Sequence, residues 1–291
     1  MERVEDAIIL AGGRGTRMLP ASQYVPKETL PLVDIPIINH LMLEASKSGV
    51  KRIHIVLSDW KMRILESHFH YRVEDNPRKD LPKECISLDY DDVEVISHIQ
   101  RNPGGVADAI NCVAGKLNGP FLVILGDNLL LEKHLPPNSV CVESASSASK
   151  LLVENYEKFG LPCVGIIPVP RDMFSEYGMV EMSDGYVVEI VEKPAPEDSP
   201  SNFALCGRYL FTPNFTEISQ NYPITKYGEL QSIYILRQMI REKGLKSVNM
   251  ESMTLYDSGD PTKWLKSQID HAIKRPDIGP NLKKYLLKKL L

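Results

Sequence analysis

The chain lacks a basic excess. Its 291 residues carry 34 Lys and Arg against 38 Asp and Glu, for a net charge of −4. Nucleic-acid affinity rests mainly on neutralising phosphates with a basic face, so a general nucleic-acid partner is excluded. An anionic ligand would have to be held by a few local cations. The five cysteines (85, 112, 141, 163 and 206) form neither a CxxC pair nor a metal-type spacing. They read as reduced, partly buried small apolar residues and point to a cytoplasmic protein. No apolar run approaches the roughly 18 residues of a membrane span, so no membrane partner is expected. The start, Met1-Glu2-Arg3-Val4-Glu5-Asp6, lacks the basic and apolar parts of a signal peptide. The histidines at 40, 54, 68, 70, 98, 134 and 271 make no HExxH or HxxxH set and read as structural or surface residues. No internal repeat or low-complexity segment stands out. What is present is an ordinary globular composition, 43% hydrophobic and 25% charged. At this length roughly 75% of the unfolded surface can be buried, so a core needs no disulfide or metal staple.

Short apolar runs alternate with helical periods. Ala7 to Leu10, Arg52 to Leu57, Val93 to Ile99 and Phe121 to Leu125 read as strands. Pro36 to Ser48 reads as a helix stopped by Gly49, Asp59 as a cap for the next helix, and 105–114 as a further helical stretch. Residues 71–92 look like a long excursion. Apolar rather than alternating strands imply a parallel sheet covered on both faces. After residue 128 the rhythm changes. Ser146 to Phe159 predicts a helix and Cys163 to Val169 a strand. Met179 to Met182 and Tyr186 to Val191 flank Ser183-Asp184-Gly185, a hairpin signal. Ala204 to Phe211 predicts a strand, Glu229 to Lys243 and Pro261 to Lys274 helices, and Asn281 to Leu291 a basic, leucine-rich tail.

The first strand runs into Gly12-Gly13-Arg14-Gly15-Thr16-Arg17. Glycines there let backbone amides approach phosphate oxygens. The segment is not a dinucleotide fingerprint, because Met18 stands at the third small position, and not a P-loop, because no Gly-Lys-Ser/Thr closes it. Arg14, Arg17 and Lys27 nevertheless concentrate cations beside it in a slightly acidic chain. On these residues alone, a phosphate site and a tight strand-to-helix turn with solvated arginines both remain open.

The stretch from Leu10 through Ala11 and Lys27-Glu28 to Asp34 closely resembles the signature of the sugar-1-phosphate nucleotidyltransferases, in particular the UTP–glucose-1-phosphate uridylyltransferases and, next, the glucose-1-phosphate thymidylyltransferases. The resemblance runs from residue 7 to about 275 and weakens at 58–92 and 129–160. It implies a Rossmann-like, mixed but mainly parallel α/β sheet flanked by helices, the nucleotide-diphospho-sugar transferase fold, with a small antiparallel sugar-side subdomain. The chain is expected to be one domain over 1–291, with a nucleotide half to about 128, a sugar half over 129–260 and C-terminal helices over 261–291.

What the resemblance implies about roles follows residue by residue. Leu10, Ala11, Gly12, Gly13, Gly15 and Thr16 would wrap the nucleotide. Arg17 would hold the phosphates that leave as pyrophosphate, and Lys27 would reach the α-phosphorus and the sugar phosphate. Gln100 and Gly105 match the spacing that reads uracil or thymine in the thymidylyltransferases. Asp127 ends the strand Phe121 to Gly126, where ligands of open α/β sheets bind, and a carboxylate there suits Mg²⁺ on a triphosphate. Asp257, in Asp257-Ser258-Gly259, would be the second metal ligand. Asn128, Tyr177, Gly178, Glu192, Lys193 and Asn202 match the sugar-phosphate side. Gly228-Glu229-Leu230-Gln231 resembles a further element, with Ile233 in place of its usual Asp. Gln23 departs from the uridylyltransferase pattern, which commonly has a second lysine there, but thymidylyltransferases also lack that lysine.

The implied activity joins a nucleoside triphosphate, UTP or dTTP, to glucose-1-phosphate with Mg²⁺, in a homodimer or homotetramer. Two other readings stand beside it: an inactive sugar-nucleotide-binding subunit, or an enzyme for another sugar-1-phosphate. A nicotinamide dehydrogenase is disfavoured by the broken fingerprint and by Leu57-Ser58, which offers no acidic residue at the end of the second strand.

Overall fold

A computed structural model of the chain describes residues 1–65, 76, 78–102, 104–221 and 232–290. The strands are β1 (Asp6–Leu10), β2 (Pro31–Leu32), β3 (Ile35–Pro36), β4 (Arg52–Leu57), β5 (Glu94–Ile99), β6 (Phe121–Leu125), β7 (Asn128–Leu131), β8 (Cys163–Pro168), β9 (Gly178–Ser183), β10 (Tyr186–Glu192), β11 (Phe203–Phe211), β12 (Lys246–Asn249) and β13 (Thr254–Asp257). The helices are α1 (Ile37–Lys47), α2 (Asp59–Leu65), α3 (Val106–Asn111), α4 (Ala148–Phe159), α5 (Asn214–Gln220), α6 (Ser232–Glu242), α7 (Pro261–Lys274) and α8 (Gly279–Leu290).

Nine strands form one mixed sheet in the order β5-β4-β1-β6-β11-β8-β12-β10-β9. The first four are parallel. β11 then runs antiparallel between β6 and β8. β12 is parallel to β8, and the β9–β10 hairpin closes the far edge. The expected parallel character holds for the N-terminal four strands. The antiparallel strands extend that same sheet instead of standing apart from it, because β11 hydrogen-bonds directly along β6.

Strand alternation explains the two-sided core. Ala7, Ile9, Ile53, Ile55, Leu122 and Ile124 face one apolar layer with α1 and α4. Ile8, Val56, Phe121 and Val123 face the other, with residues of α3, α5 and α6. Both faces are buried, so the strands read as continuous apolar runs. Most predicted elements appear within a residue or two. Asp59 is the exception in role: it is the first helical residue, paired with Arg63, and not the cap. In the hairpin turn, Asp184 and Gly185 both have positive φ, the backbone that a two-residue hairpin loop requires. The start of the predicted helix from Glu229 lies outside the described residues, as do Gly228 to Gln231, His68, His70 and residues 71–75 and 77 of the 71–92 excursion.

The strands β2, β3, β7, β12 and β13 and the helix α5 lack a sequence signal strong enough to expect them. One of these omissions matters. β7 and β13 pair as a separate antiparallel ribbon in which Asp257 lies opposite Asn128. No helix among the described residues is long and apolar enough to cross a membrane.

Candidate active site

The parallel register brings the C-terminal ends of β1, β4, β5 and β6 to one edge, and the segments that leave β1, β5 and β6 line a cavity of about 540 Å³. Leu10, Gly12, Gly13, Lys27, Gln100, Gly105 and Asp127 all line it. The loop is anchored at its start, where the Ala11 N–H donates to Val56 O at 2.9 Å. Gly12 packs against Gln100 so closely that an added Cβ would stand 2.7 Å from Gln100 Oε1. A side chain there would force the Gln100 amide and the loop apart. Gln100 is buried, and its Nε2 donates to Asp108 Oδ2 at 2.6 Å. Gly15, Thr16 and Arg17 form the outer turn, tied down by the Ser22 hydroxyl donating to Gly15 O at 2.8 Å.

Charged groups converge where this turn meets β6. Lys27 Nζ lies 2.6 Å from Asp127 Oδ2. Burial is the largest influence on each and disfavours both charges, but attractions together outweigh it: Lys27, a backbone hydrogen bond and Arg17 hold Asp127 below the usual carboxylate range, and Asp127 with Glu28 holds Lys27 above the usual amine range. Asp257 reaches the same place through the ribbon. The Ser258 N–H and hydroxyl both donate to Asp127 O at 3.0 Å, which locks the two aspartate-bearing segments together. Arg17 lies against Gly259, where an added Cβ would stand 3.0 Å from Arg17 Nη2 and 2.8 Å from Asp257 Oδ1. Thus Arg17, Lys27, Asp127 and Asp257, separated by up to 240 positions in sequence, share one locality.

The remaining predicted residues lie beside that cavity, not in its wall. Asn128 begins β7, and its carbonyl accepts from the buried Arg208. Tyr177 is buried, and its hydroxyl has no hydrogen-bond partner among the described residues. Gly178 and Glu192 face each other across the end of the β9–β10 hairpin. The Glu192 carboxylate lies against Gly178, with Oε2 3.1 Å from where a Cβ would stand. Lys193 has a left-handed backbone, φ 46°, and its N–H donates to Tyr177 O at 3.0 Å. Asn202 is exposed just before β11. Pairing of Ala204 with Met179 brings its strand to the hairpin, so the sugar-side candidates share an edge. Among the described residues no group of three His, Cys, Asp or Glu side chains could hold a metal.

A nucleotidyl transferase family model matches residues 6–270. The UTP–glucose-1-phosphate uridylyltransferase of Streptococcus pneumoniae is 35% identical over 98% of this chain and 96% of its own length. The chain belongs to the nucleotidyl transferase family. A solved UDP-glucose pyrophosphorylase bound to UDP-glucose is 28% identical, with a TM-score of 0.78 over 92% of this chain and 98% of that one. A UTP-bound enzyme of the same kind from Acinetobacter baumannii shares the fold at a TM-score of 0.82 and 24% identity, over 98% of this chain and 99% of that one.

This nucleotidyltransferase also contains site residues that sequence reasoning missed. Beneath the loop, buried Lys61 Nζ donates to Ala11 O at 2.7 Å and to Glu28 Oε2 at 2.7 Å. Burial pushes the Lys61 amine down and the Glu28 carboxyl up, while their pairing opposes both shifts. Lys263 Nζ lies 2.8 Å from Asp257 Oδ2 and pairs with Glu176 as well. Lys61 has no local signal. Lys263 has one, as a cation two residues after a Pro that follows a capping Asp.

Proposed function

We propose that this nucleotidyltransferase joins UTP, or dTTP, to glucose-1-phosphate, giving the nucleotide-sugar and pyrophosphate. The observation that carries the reading is the meeting of Arg17, Lys27, Asp127 and Asp257 at the mouth of the glycine loop, in a chain 35% identical to a uridylyltransferase along almost its whole length. Glucose-1-phosphate needs no general base, since the second pKa of a phosphate monoester is about 6 and its oxygen is ionised at neutral pH. The task is to bring two anions together in line and to neutralise charge as pyrophosphate leaves. Arg17 would hold the leaving phosphates. Lys27 would leave Asp127 to contact the α-phosphoryl and sugar-phosphate oxygens. Gly12, Gly13 and Gly15 would offer backbone to the nucleotide, and Gln100 and Gly105 would face the base. Tyr177, Gly178, Glu192, Lys193, Asn202 and Asn128 would receive the sugar phosphate.

The donor set suits Mg²⁺, which takes one or two carboxylates and fills its shell with phosphate oxygens and water. Asp127 and Asp257 would hold it, and it would supply charge neutralisation on the triphosphate. In this reading residues 1–128, with their Rossmann-like parallel strands, serve the nucleotide. Residues 129–260 serve the sugar, and the 261–291 helices close the unit. The family resemblance further implies a homodimer or homotetramer, which light scattering would test. A matrix of nucleoside triphosphates against sugar-1-phosphates, read by pyrophosphate release with Mg²⁺, tests the reaction. Release with UTP or dTTP and glucose-1-phosphate is expected. No release with any pair would leave a binding subunit, and release with a different sugar-1-phosphate would move the substrate.

A further inference from the structure

Lys263 stands in the first turn of α7, behind the Asp260 cap, whose side chain accepts from the Lys263 N–H. A cation there meets the positive end of the helix dipole, an unfavourable place unless carboxylates offset it. Two do so. One is Asp257, whose Oδ2 is 2.8 Å from Nζ; the other is Glu176, the last residue of the turn before Tyr177. The pair with Asp257 is well shielded, with side chains 23% and 16% exposed. Asp257 Oδ1 in turn accepts the Gly259 N–H at 2.6 Å. Both oxygens of this aspartate therefore already accept a hydrogen bond from the chain, and at Oδ2 an ion would meet the ammonium charge. Asp127 is balanced in the same way by Lys27.

We propose that Lys263 is a positioning residue that acts as a tethered cation. Its ammonium competes with the divalent ion for Asp257 Oδ2, and Glu176 is the carboxylate it keeps when the ion binds. The proposal rests on Asp257 being a metal ligand, as read above. Its consequence is an order of events. The ion alone binds weakly because each aspartate already has a lysine. A bound triphosphate would draw Lys27 off Asp127, so that both aspartates would be freer to hold the ion once nucleotide is present.

The test uses Mn²⁺ alone, with free ion counted by electron paramagnetic resonance on the nucleotide-free, full-length protein. Lys263→Gln should bind Mn²⁺ about 10-fold more tightly, the usual effect of one close charge on a shielded carboxylate. Lys263→Met should do the same, which separates loss of charge from any defect peculiar to glutamine. Lys263→Arg should stay near wild type, and Glu176→Gln should weaken Mn²⁺ binding because the ammonium then has Asp257 alone. Unchanged or weaker binding by both neutral variants overturns the proposal. Asp257→Asn separates the two layers: it should lose Mn²⁺ binding, and if it keeps wild-type affinity, the metal reading falls and this proposal falls with it.

Discussion

At the scale of single residues, the site is held ready by pairs of opposite charge. Lys27 and Asp127 neutralise each other at 2.6 Å, so neither aspartate nor lysine stands bare before phosphate arrives. If Lys27 carries charge in the transition state, Lys27→Ala should lower kcat by about 10²-fold or more, measured by pyrophosphate release. Turnover like wild type would remove that role. Lys61 works at one remove. It is buried and fixes both the Ala11 carbonyl and the Glu28 carboxylate. Lys61→Met would strip the buried Glu28 carboxyl of its hydrogen-bonded partner, leaving it to stay charged in the core or take up a proton, at a cost of about 3–5 kcal/mol. Adding Glu28→Leu should recover most of that loss of melting temperature. If the double variant is no more stable than the single one, the pair is not what Lys61 contributes. The glycine loop, Arg17 and Lys27 were legible because they lie within one short stretch whose residue types suit phosphate. Lys61 was not, because its partners come from elsewhere in the chain and an amphipathic helix commonly exposes its lysines.

At the scale of elements, the decisive feature is the ribbon of β7 and β13. Each strand has four residues, and their pairing spans more than 120 positions, so no local period announces it. The sequence could offer Asp127 and Asp257 only separately, each as a turn-forming aspartate, until family resemblance joined them. The long runs Phe121 to Leu125 and Ala204 to Phe211 were legible because burial on both faces leaves an unbroken apolar signal. The ribbon meets β11 through Arg208, beside a point where the pairing of β11 with β8 shifts register between Leu205 and Tyr209. Gly207 in that bulge has φ 75°, and an added Cβ would stand 2.9 Å from Asn128 Nδ2. The next residue, Arg208, is buried against Glu44 and donates to the Asn128 carbonyl at 2.9 Å. Gly207→Ala should therefore cost about 1–2 kcal/mol for the left-handed backbone. It should also reduce kcat, because the Asn128 side chain, next to Asp127, must shift. A variant that melts and turns over like wild type would show that the bulge does not position β7.

At the scale of the whole molecule, the buried histidines tie stability to pH. His40 lies on α1, His271 on α7 and His98 on β5, so the elements they join are far apart in sequence. Burial pushes the His40 imidazole down to about 4, and its Nε2 has no partner among the described residues. Burial, then the neighbouring His40, His134 and Arg275, bring His271 down to about 3. Burial, then His54 and Lys116, bring His98 down to about 4. Each of these groups is neutral in the fold and protonates more readily once unfolded, where an imidazole titrates near 6.5. Protons therefore favour the unfolded chain. The histidines impose no penalty above about pH 6.5, and stability is lost as pH falls from there toward their folded values. Each contributes a slope of up to about 1.4 kcal/mol per pH unit in that window. Asp6 adds to acid sensitivity only at lower pH. Although burial opposes its charge, bonds from His54, Arg52 and the Asn118 N–H hold it down to about 2, and its contribution fades below the ordinary carboxylate range. Melting temperatures should thus be level from pH 8 to 7 and fall steadily from pH 6.5 to 5. His40→Leu should shallow that fall, since it removes one titrating group and one unpartnered buried nitrogen. A profile flat down to pH 5, or one unaffected by His40→Leu, would mean that these imidazoles are free to protonate within the folded protein.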